Sequence, residues 1–325
     1  MTPSSTPQSS SSLFVGIDVA KDKLDLARSD SSQILTVAND SSGIARLVHS
    51  LAQAHPATIV VEATGGLEQP LVNALLDAAL PVALVNPGHV RHFAKGLGIL
   101  AKTDAIDAGV LVRFAQLASP RLATKRSANQ AELDALVTCR RQLTLVRTEQ
   151  TNRRNTTSSR SAIKAIDAVV AIVNQQIREL EEQIARLIES DDDFNSIDKL
   201  LQSVPGVGAV TSSTILSDLR ELGRTDRRQI GALAGLAPFN CDSGRFKGKR
   251  SIRGGRAAVR SVLYMATVAA IRFNPVIRRF AERLKGSGKL NKVVIVACMR
   301  KLLSLLNAMI RDHLRWDQLE VVRNS

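Results

Sequence analysis

The sequence predicts an α/β domain in its N-terminal third, a helical coiled-coil segment in the middle, and an α-helical domain at its C-terminal end. Three observations support this: strand and helix patterns alternate at the beginning, a heptad repeat of apolar residues follows, and the last third has helical periodicity throughout. A Ser/Thr/Pro tract at the start is expected to be disordered. The predicted divisions are a tail at 1–12 and domains at 13–125, 126–195 and 196–325.

The N-terminal domain is predicted to contain three strands and then helices that alternate with two more strands. The apolar run Leu13–Val19 and the alternating stretch Lys23–Ala27 predict a β-hairpin, and Gln33–Ala38 predicts a third strand. This order indicates a mixed sheet with helices on its faces. The later elements are helices at Ser42–Ala54 and Gly66–Ala79, strands at Thr58–Val61 and Pro81–Val85, and helical sequence at Val90–Gln116 interrupted by Gly96 and Gly98.

The middle segment combines an arginine-bearing helix, Gln130–Arg147, with a heptad seam. The seam fits two arrangements equally well, a helical hairpin against residues 130–150 or a contact between subunits. The acidic run Asp191–Asp193 is unfavourable at the C-terminal end of a helix, so it predicts a linker or the cap of the next element. The seam consists of Ile166, Val170, Val173, Ile177, Leu180, Ile184 and Leu187.

The composition points to a nucleic-acid partner. The chain has 44 Lys and Arg residues against 30 Asp and Glu, a formal charge of +14, which suits binding to a polyanion. Only 3% of the residues are aromatic, so phosphate contact is favoured over stacking of single-stranded bases. The three cysteines lie far apart and have no partners at zinc-ligand spacing, which indicates a reducing cytoplasm. No apolar run of membrane length is seen, so no membrane partner is expected.

Four carboxylates are candidates for a metal site. Asp18 and Glu62 each end an apolar strand, and Asp104 and Asp107 share one face of a predicted helix. A carboxylate beside buried residues is costly unless something compensates its charge, and a divalent cation is the simplest compensator. Two Mg²⁺ ions, or Mn²⁺, held by these carboxylates would activate the attacking oxygen and neutralise the leaving oxygen of a phosphodiester. The alternative is that the carboxylates only cap helices and stabilise turns. Two nearby acids are expected to be solvent-exposed hairpin residues: Asp22 and Asp25.

The C-terminal domain offers two candidate nucleic-acid contacts. The turn Pro205–Gly208 would expose backbone N–H groups to a phosphate, as in helix-hairpin-helix modules, although helix packing also explains such glycines. The basic loop from Gly244 to Gly255 combines arginine donors with glycines that let the backbone approach, which suits contact with phosphates. The alternative is a basic loop that is only solvated. Ser243, at the head of this loop, has no local partner that would activate it. The predicted contacts are Gly206, Gly208, Arg245, Lys247, Lys249, Arg250, Arg253, Arg256 and Arg260.

These motifs resemble the insertion sequence one-ten transposases, also called DEDD transposases, and the related Piv-type DNA invertases. The resemblance covers nearly the whole chain. The N-terminal motifs are similar to the RuvC-like, RNase H-type domain of that family, and the C-terminal motifs are similar to its transposase domain. The acidic tetrad of the family then falls on Asp18, Glu62, Asp104 and Asp107, and its serine nucleophile falls on Ser243. The matching segments are 16–18, 61–65, 85–87, 102–108, 203–208, 234–238 and 242–244.

The resemblance implies an enzyme that excises and integrates a mobile DNA element by Mg²⁺-dependent strand cleavage and exchange. In this mechanism Ser243 attacks a phosphodiester held at the tetrad, with Ser251 of the same loop or water as the alternative nucleophile. The resemblance also implies a composite site in a homodimer or homotetramer, for which the heptad seam would be a suitable contact. Its other implied partners are donor DNA, target DNA and a structured noncoding guide (bridge) RNA, in the bacterial cytoplasm at the nucleoid.

Two other functions fit the same residues. A Holliday-junction resolvase or nuclease would use the four carboxylates with water as the nucleophile, and Ser243→Ala would leave its activity intact. A non-catalytic nucleic-acid-binding protein would use the carboxylates only as caps and turns. In that case Asp18→Asn combined with Asp104→Asn would leave its function intact.

Overall fold

The computed structural model describes residues 12–99, 104–239, 242–243, 246–247 and 250–318. The chain divides into two compact units, Met1–Arg126 and Ser127–Ser325. The first unit contains a five-stranded sheet, and the second contains helices and short β ladders. The tail predicted at 1–12 lies almost entirely outside the described residues.

The first unit is built on a mixed sheet with the strand order β3-β2-β1-β4-β5. The first three strands form an antiparallel meander, and β4 and β5 continue the sheet parallel to β1. The predicted order of elements and the mixed sheet are confirmed, including the interruption at Gly96, where α3 ends. The elements are β1 (Phe14–Val19), β2 (Lys23–Arg28), β3 (Ser31–Ala38), α1 (Ser41–Ala54), β4 (Thr58–Glu62), α2 (Gln69–Asp77), β5 (Val82–Val85), α3 (Pro87–Gly96) and α4 (Asp104–Ala118).

Helices cover both faces of the central strands. Ile17 of β1 and Val61 of β4 pack on the face that α1 and α2 cover, whereas Val60 packs on the face that α3 and α4 cover. Because both faces are buried, these strands are continuous apolar runs in the sequence. Gly16 lets α4 approach β1 closely, since a Cβ added there would lie 2.5 Å from the carbonyl oxygen of Ala108.

The second unit begins with a helical hairpin of α5 (Ala128–Thr156) and α6 (Arg160–Ser190). Residues Val173, Ile177 and Ile184 of the heptad seam are buried within the single chain, and Arg140 of α5 forms an ion pair with Glu181 of α6 at 2.7 Å. The intramolecular alternative for the seam is therefore present in the structure.

The acidic run after α6 begins the next helix, α7 (Asp192–Gln202). The Asp191 side chain accepts a hydrogen bond from the Phe194 N–H at 3.1 Å, and Asp192 and Asp193 occupy the first turn. Negative charge at a helix N-terminus is stabilising, so the predicted cap is confirmed. The domain boundary expected near residue 195 falls inside α7, and the hairpin and the later helices lie in one unit.

The C-terminal core is built around α12 (Asn291–Asp312), whose residues Cys298, Leu302 and Leu306 are buried. Within the described part of the chain, α12 alone is long and apolar enough to cross a membrane, and 56% of its most apolar window is buried in this core. Core packing therefore accounts for its composition. The remaining helices are α8 (Ala209–Asp218), α9 (Arg227–Leu233), α10 (Ala257–Phe273), α11 (Pro275–Gly286) and α12 (Asn291–Asp312).

The basic loop of the second unit contains a β-hairpin. In one antiparallel ladder Phe239 pairs with Ser251, and in the other Ser243 pairs with Phe246. The C-terminal domain was predicted to be almost wholly helical, and this hairpin is the departure from that prediction. Ladders of two residues per strand are too short to produce a recognisable sequence period. The strands are β6 (Pro238–Phe239), β7 (Asp242–Ser243), β8 (Phe246–Lys247) and β9 (Ser251–Ile252).

Candidate active site and nucleic-acid surfaces

Asp18 and Glu62 occupy equivalent positions on neighbouring parallel strands. Ile17 of β1 pairs with Val61 of β4, so Asp18 and Glu62 each follow directly after this pair. Side chains alternate along a strand, so both carboxylates lie on the face opposite to Ile17 and Val61. That face is the one that α4 covers. The structure therefore brings the two predicted strand-end acids to one edge and one face of the sheet.

Helix α4 brings Asp107 to the same face. Asp107 precedes Ala108, whose carbonyl oxygen contacts β1 at Gly16, and Asp18 lies two residues further along β1 on the same face as Gly16. Asp104 begins α4, but its side chain lies outside the described residues. Among the described side chains, no group of three His, Cys, Asp or Glu residues could hold a metal ion. The carboxylates supply only oxygen ligands, the kind that Mg²⁺ and Mn²⁺ prefer.

Asp25 is a buried neighbour of Asp18, and the expectation that it faces solvent is wrong. It lies directly opposite Asp18 in the β1–β2 ladder and is only 5% exposed. Lys23 Nζ lies 2.8 Å from Asp25 Oδ2, and the Thr36 hydroxyl donates to Oδ1 at 2.5 Å. Burial raises the pKa of Asp25, but these hydrogen bonds outweigh burial and leave its pKa below the usual value.

The expectation failed because it assumed that one face of β2 is open to water. Ala27, on the same face as Asp25, instead packs against Ala108 and Val112 of α4. The alternation along β2 was therefore assigned correctly, but the covering helix comes from residues about 80 positions further along the chain. The signal that could have identified Asp25 was its position in the β1–β2 hairpin, where it lies across from Asp18, a candidate metal ligand.

Glu68 is a second residue that sequence reasoning missed. It is 4% exposed, and its Oε2 accepts hydrogen bonds from the Thr64 N–H at 3.0 Å, the Gly66 N–H at 2.9 Å and the Thr64 hydroxyl at 3.1 Å. The Gln69 amide donates to Oε1 at 3.0 Å. Burial alone raises the pKa of Glu68, but the hydrogen bonds dominate and lower it to about 2. Glu68 thus fixes the turn that directly follows Glu62.

Ser243 lies at the end of the β7–β8 ladder, and two residues separate it from its cross-strand partner Phe246. Ser251 belongs to the other ladder and pairs with Phe239. The two candidate nucleophiles therefore occupy different positions in the hairpin, with Ser243 nearer to its tip. The Ser243 side chain lies outside the described residues.

The predicted basic contacts divide into exposed and structural residues. Arg250 is exposed, and the Arg253 guanidinium stacks over the Phe239 ring at 5.1 Å. Arg256 instead donates two hydrogen bonds to Glu221, at 2.5 and 2.7 Å, and this pairing raises the pKa of its guanidinium despite burial. Arg260 donates to the Gly254 carbonyl at 2.7 Å. Three further predicted contacts have side chains outside the described residues: Arg245, Lys247 and Lys249.

Arg256 is thus a correction to the predicted set of nucleic-acid contacts. Its two donors satisfy a largely buried carboxylate and so hold the start of α10 against the segment that follows α8. The sequence could not reveal this pairing, because the two partners are 35 residues apart.

The Pro205–Gly208 turn lies between α7 and α8. Gly206 has a φ of +104°, and a Cβ added there would lie 2.6 Å from the backbone nitrogen of Ala270 in α10. Packing against α10 therefore accounts for this glycine, as the alternative interpretation proposed. Gly208 is exposed and is the N-cap residue of α8, and because it has no side chain to cap the helix it leaves backbone N–H groups available at the helix N-terminus.

The strand order, together with carboxylates at the ends of two parallel neighbours and on α4, defines an RNase H-like, RuvC-like domain. Domains of this class generally use divalent metal ions. In this chain the domain is followed by a helical unit that carries a basic hairpin. Together these features are those of an enzyme that acts on DNA.

Comparison with known proteins supports this class and gives the family. Residues 15–157 match the family described as DEDD transposase of the IS110 type, and residues 198–282 match the transposase family IS116/IS110/IS902. The chain belongs to this family of transposases, and its activity is that of a DNA transposase or recombinase.

Relatives extend over most of the chain. The pilin gene-inverting protein of Moraxella lacunata is 30% identical over 322 residues, which cover 95% of this chain and 98% of that protein. The transposase for insertion sequence element IS1111A of Coxiella burnetii is 23% identical over 265 residues, 71% of this chain and 70% of its own length. RuvC from T. thermophilus, solved with a Holliday junction substrate, aligns over 35% of this chain and all of its own, with 15% identity and a TM-score of 0.26. The fold assignment depends on the sheet order and not on that alignment.

Proposed function

We propose that the protein excises and integrates a mobile DNA element by Mg²⁺-dependent strand cleavage and exchange, with Ser243 as the nucleophile. The observation that carries this proposal is the register of β1 and β4, which places Asp18 and Glu62 side by side on the face covered by α4. Asp107 of α4 lies next to the residue that contacts β1. In this proposal Asp104, one helical turn earlier, completes the set of ligands.

The proposed chemistry exchanges one phosphodiester for another. The Ser243 hydroxyl oxygen forms a bond to phosphorus, the bond from phosphorus to one deoxyribose oxygen breaks, and the serine proton passes to solvent or to the leaving oxygen. A hydroxyl of the partner strand then attacks the same phosphorus and releases Ser243. Metal ions, when bound, would neutralise charge on the phosphate oxygens. No net phosphodiester is consumed, so this exchange needs no energy-rich cofactor.

The four carboxylates belong to the first compact unit and Ser243 belongs to the second. In the proposal the carboxylates hold the metal ions and Ser243 is the nucleophile. We propose a composite site in which one subunit supplies the acidic tetrad and another supplies the serine, in a homodimer or homotetramer. A structured noncoding guide RNA would select the donor and target DNA. The formal charge of +14 is compatible with both polyanions. The site of action would be the bacterial cytoplasm, at the nucleoid.

A second candidate is inversion of a DNA segment. A pilin gene-inverting protein matches this chain over 95% of its length, whereas the IS1111A transposase matches 71%. Inversion and integration use the same cleavage and exchange steps and differ in how the two recombination sites are arranged. Two kinds of substrate separate these outcomes. A plasmid that carries both sites in inverted orientation tests inversion, and two plasmids with one site each test integration.

The test is recombination between donor and target plasmids in Mg²⁺, with the noncoding RNA that flanks the gene supplied. Wild type is compared with Ser243→Ala and Asp104→Asn, with Ser251→Ala as the matched control in the same hairpin. We expect both site variants to lose strand exchange while retaining DNA binding, and Ser251→Ala to remain active.

Normal recombination by Ser243→Ala would show that another group is the nucleophile. If Ser243→Ala instead cuts DNA in Mg²⁺ without rejoining it, water is the nucleophile, and the protein is a RuvC-like resolvase or nuclease. Full activity of Asp104→Asn would remove the acidic tetrad from the mechanism.

A further inference from the structure

A second group of basic residues lies outside the β-hairpin segment, on α11 and the adjoining ends of α10 and α12. Residues 272–292 contain seven basic side chains and one acidic side chain, so they supply six of the fourteen net positive charges of the chain. All seven basic residues are exposed. We call this segment the α11 surface; its basic residues are Arg272, Arg278, Arg279, Arg283, Lys285, Lys289 and Lys292.

Unlike several arginines of the same unit, the basic residues of this surface have no acidic partner among the described residues. Arginines of α5, and the arginine just before α10, form ion pairs with acids of neighbouring helices and turns. Within the described residues, none of the seven forms an ion pair, and Glu282 is the single acid among them. Arg279 and Arg283 are also four residues apart on one helix, where like charges repel. The fold therefore leaves this positive charge uncompensated, and an external polyanion would compensate it.

The α11 helix holds these charges on a rigid support. Pro275 is in the first turn, and the Asn274 side chain accepts hydrogen bonds from the Val276 and Ile277 N–H groups at 3.1 Å. Ile277 and Ala281 are buried in the C-terminal core, so the opposite side of α11 faces outward. A helix of 12 residues is about 18 Å long, the length of about five base-pair steps of duplex DNA.

We propose that the α11 surface binds the phosphate backbone of duplex DNA, as a contact separate from the basic β-hairpin. Duplex DNA is the polyanion favoured here because the family acts on DNA. Contacts of Lys and Arg with phosphates position a protein on the duplex without reading its sequence. This inference goes beyond the proposed function, because it requires neither Ser243 nor a metal ion.

The test compares the full-length protein with a triple variant of the α11 surface, Arg279→Gln, Arg283→Gln and Lys285→Gln. The matched control removes three exposed basic residues of α6, Lys164→Gln, Arg178→Gln and Arg186→Gln, and so lowers the net charge equally. Fluorescence anisotropy measures the Kd of each protein for a 30-base-pair duplex without Mg²⁺, at several salt concentrations. Circular dichroism and thermal unfolding confirm that both variants fold.

We expect the slope of log Kd against log salt to become shallower by about 3 in the α11 variant, since each lost phosphate contact removes about 0.9. The affinity advantage of wild type over this variant should therefore shrink by roughly 40-fold between 50 and 200 mM salt. The α6 control should keep the wild-type slope. Ser243→Ala should also keep it, which separates this inference from the proposed mechanism.

Equal slopes for the α11 variant and the α6 control would overturn the proposal. The same assay with a structured RNA of similar length gives the other decisive result. If the α11 variant loses affinity for RNA and keeps the wild-type slope on duplex DNA, the surface binds RNA and the proposal is wrong.

Discussion

Replacing Glu68 by glutamine tests whether a buried carboxylate fixes the turn behind Glu62. Glutamine has nearly the same shape, but its NH₂ group cannot accept the hydrogen bond that Gln69 donates to Oε1 at 3.0 Å. The pKa of Glu68 is lowered from 4.5 to about 2, which corresponds to about 3 kcal/mol of stability at pH 7. A lowered pKa gives stability that is full above the unfolded-state value and is lost as pH falls toward the folded-state value. The difference in free energy of unfolding between wild type and Glu68→Gln should therefore shrink by about 2 kcal/mol from pH 7 to pH 3.

Urea unfolding of both proteins at pH 7, 5 and 3 measures this difference. The control is Asp77→Asn at the C-terminal end of α2, because the Asp77 side chain is 57% exposed and pairs with an exposed lysine, Lys125. The control should change stability by less than about 0.5 kcal/mol at each pH. We also expect Glu68→Gln to need more Mg²⁺ for half-maximal strand exchange, since the turn after Glu62 loosens. A difference between Glu68→Gln and wild type that does not vary with pH would refute the argument.

Three further substitutions test the packing and the ion pairs. Asp25→Asn should destabilise the first unit by about 1–3 kcal/mol in urea unfolding, because the hydrogen bonds to its buried carboxylate weaken; wild-type stability would show that the buried charge contributes nothing. Gly16→Ala should cost about 1–3 kcal/mol, since its Cβ would lie 2.5 Å from a backbone oxygen of α4, whereas Gly109→Ala meets nothing within 4 Å and should be neutral or stabilising. Arg256→Gln should lower stability by roughly 1–3 kcal/mol, because it removes the two hydrogen bonds that Arg256 donates to the largely buried Glu221 carboxylate, and should keep the wild-type salt slope of DNA binding; a shallower slope would return Arg256 to the nucleic-acid contacts.

The order of strands and helices along the chain could be predicted because the signals for it are local. Leu13–Val19 and Thr58–Val61 are apolar runs that correspond to β1 and β4, with Gly and Pro marking the intervening turns. The sequence also indicated that Asp18 and Glu62 each end a strand of one sheet. Only the structure shows that these strands are parallel neighbours, so that their carboxyl ends lie at one edge of the sheet.

The errors concern residues whose partners are distant along the chain. Asp25 was assigned to the correct face of β2, but that face is covered by α4, about 80 residues further along. Arg256 was counted among the basic loop residues, and its partner Glu221 lies 35 positions away. Local periodicity shows which way a side chain points relative to its neighbours, whereas its chemical role depends on what packs against it.

The sequence by itself determined the mixed sheet, the strand-end carboxylates and the polyanion-binding charge, because each of these depends on residue type and short-range spacing. Its resemblance to a known family indicated the class of protein. Only the tertiary structure decided which charged groups are used internally. It buries Asp25 and Glu68, pairs Arg256 with an acid and leaves the basic residues of the α11 surface without acidic partners among the described residues. The physical reason is that burial and ion pairing are properties of contacts between elements, and those contacts exist only once the chain has folded.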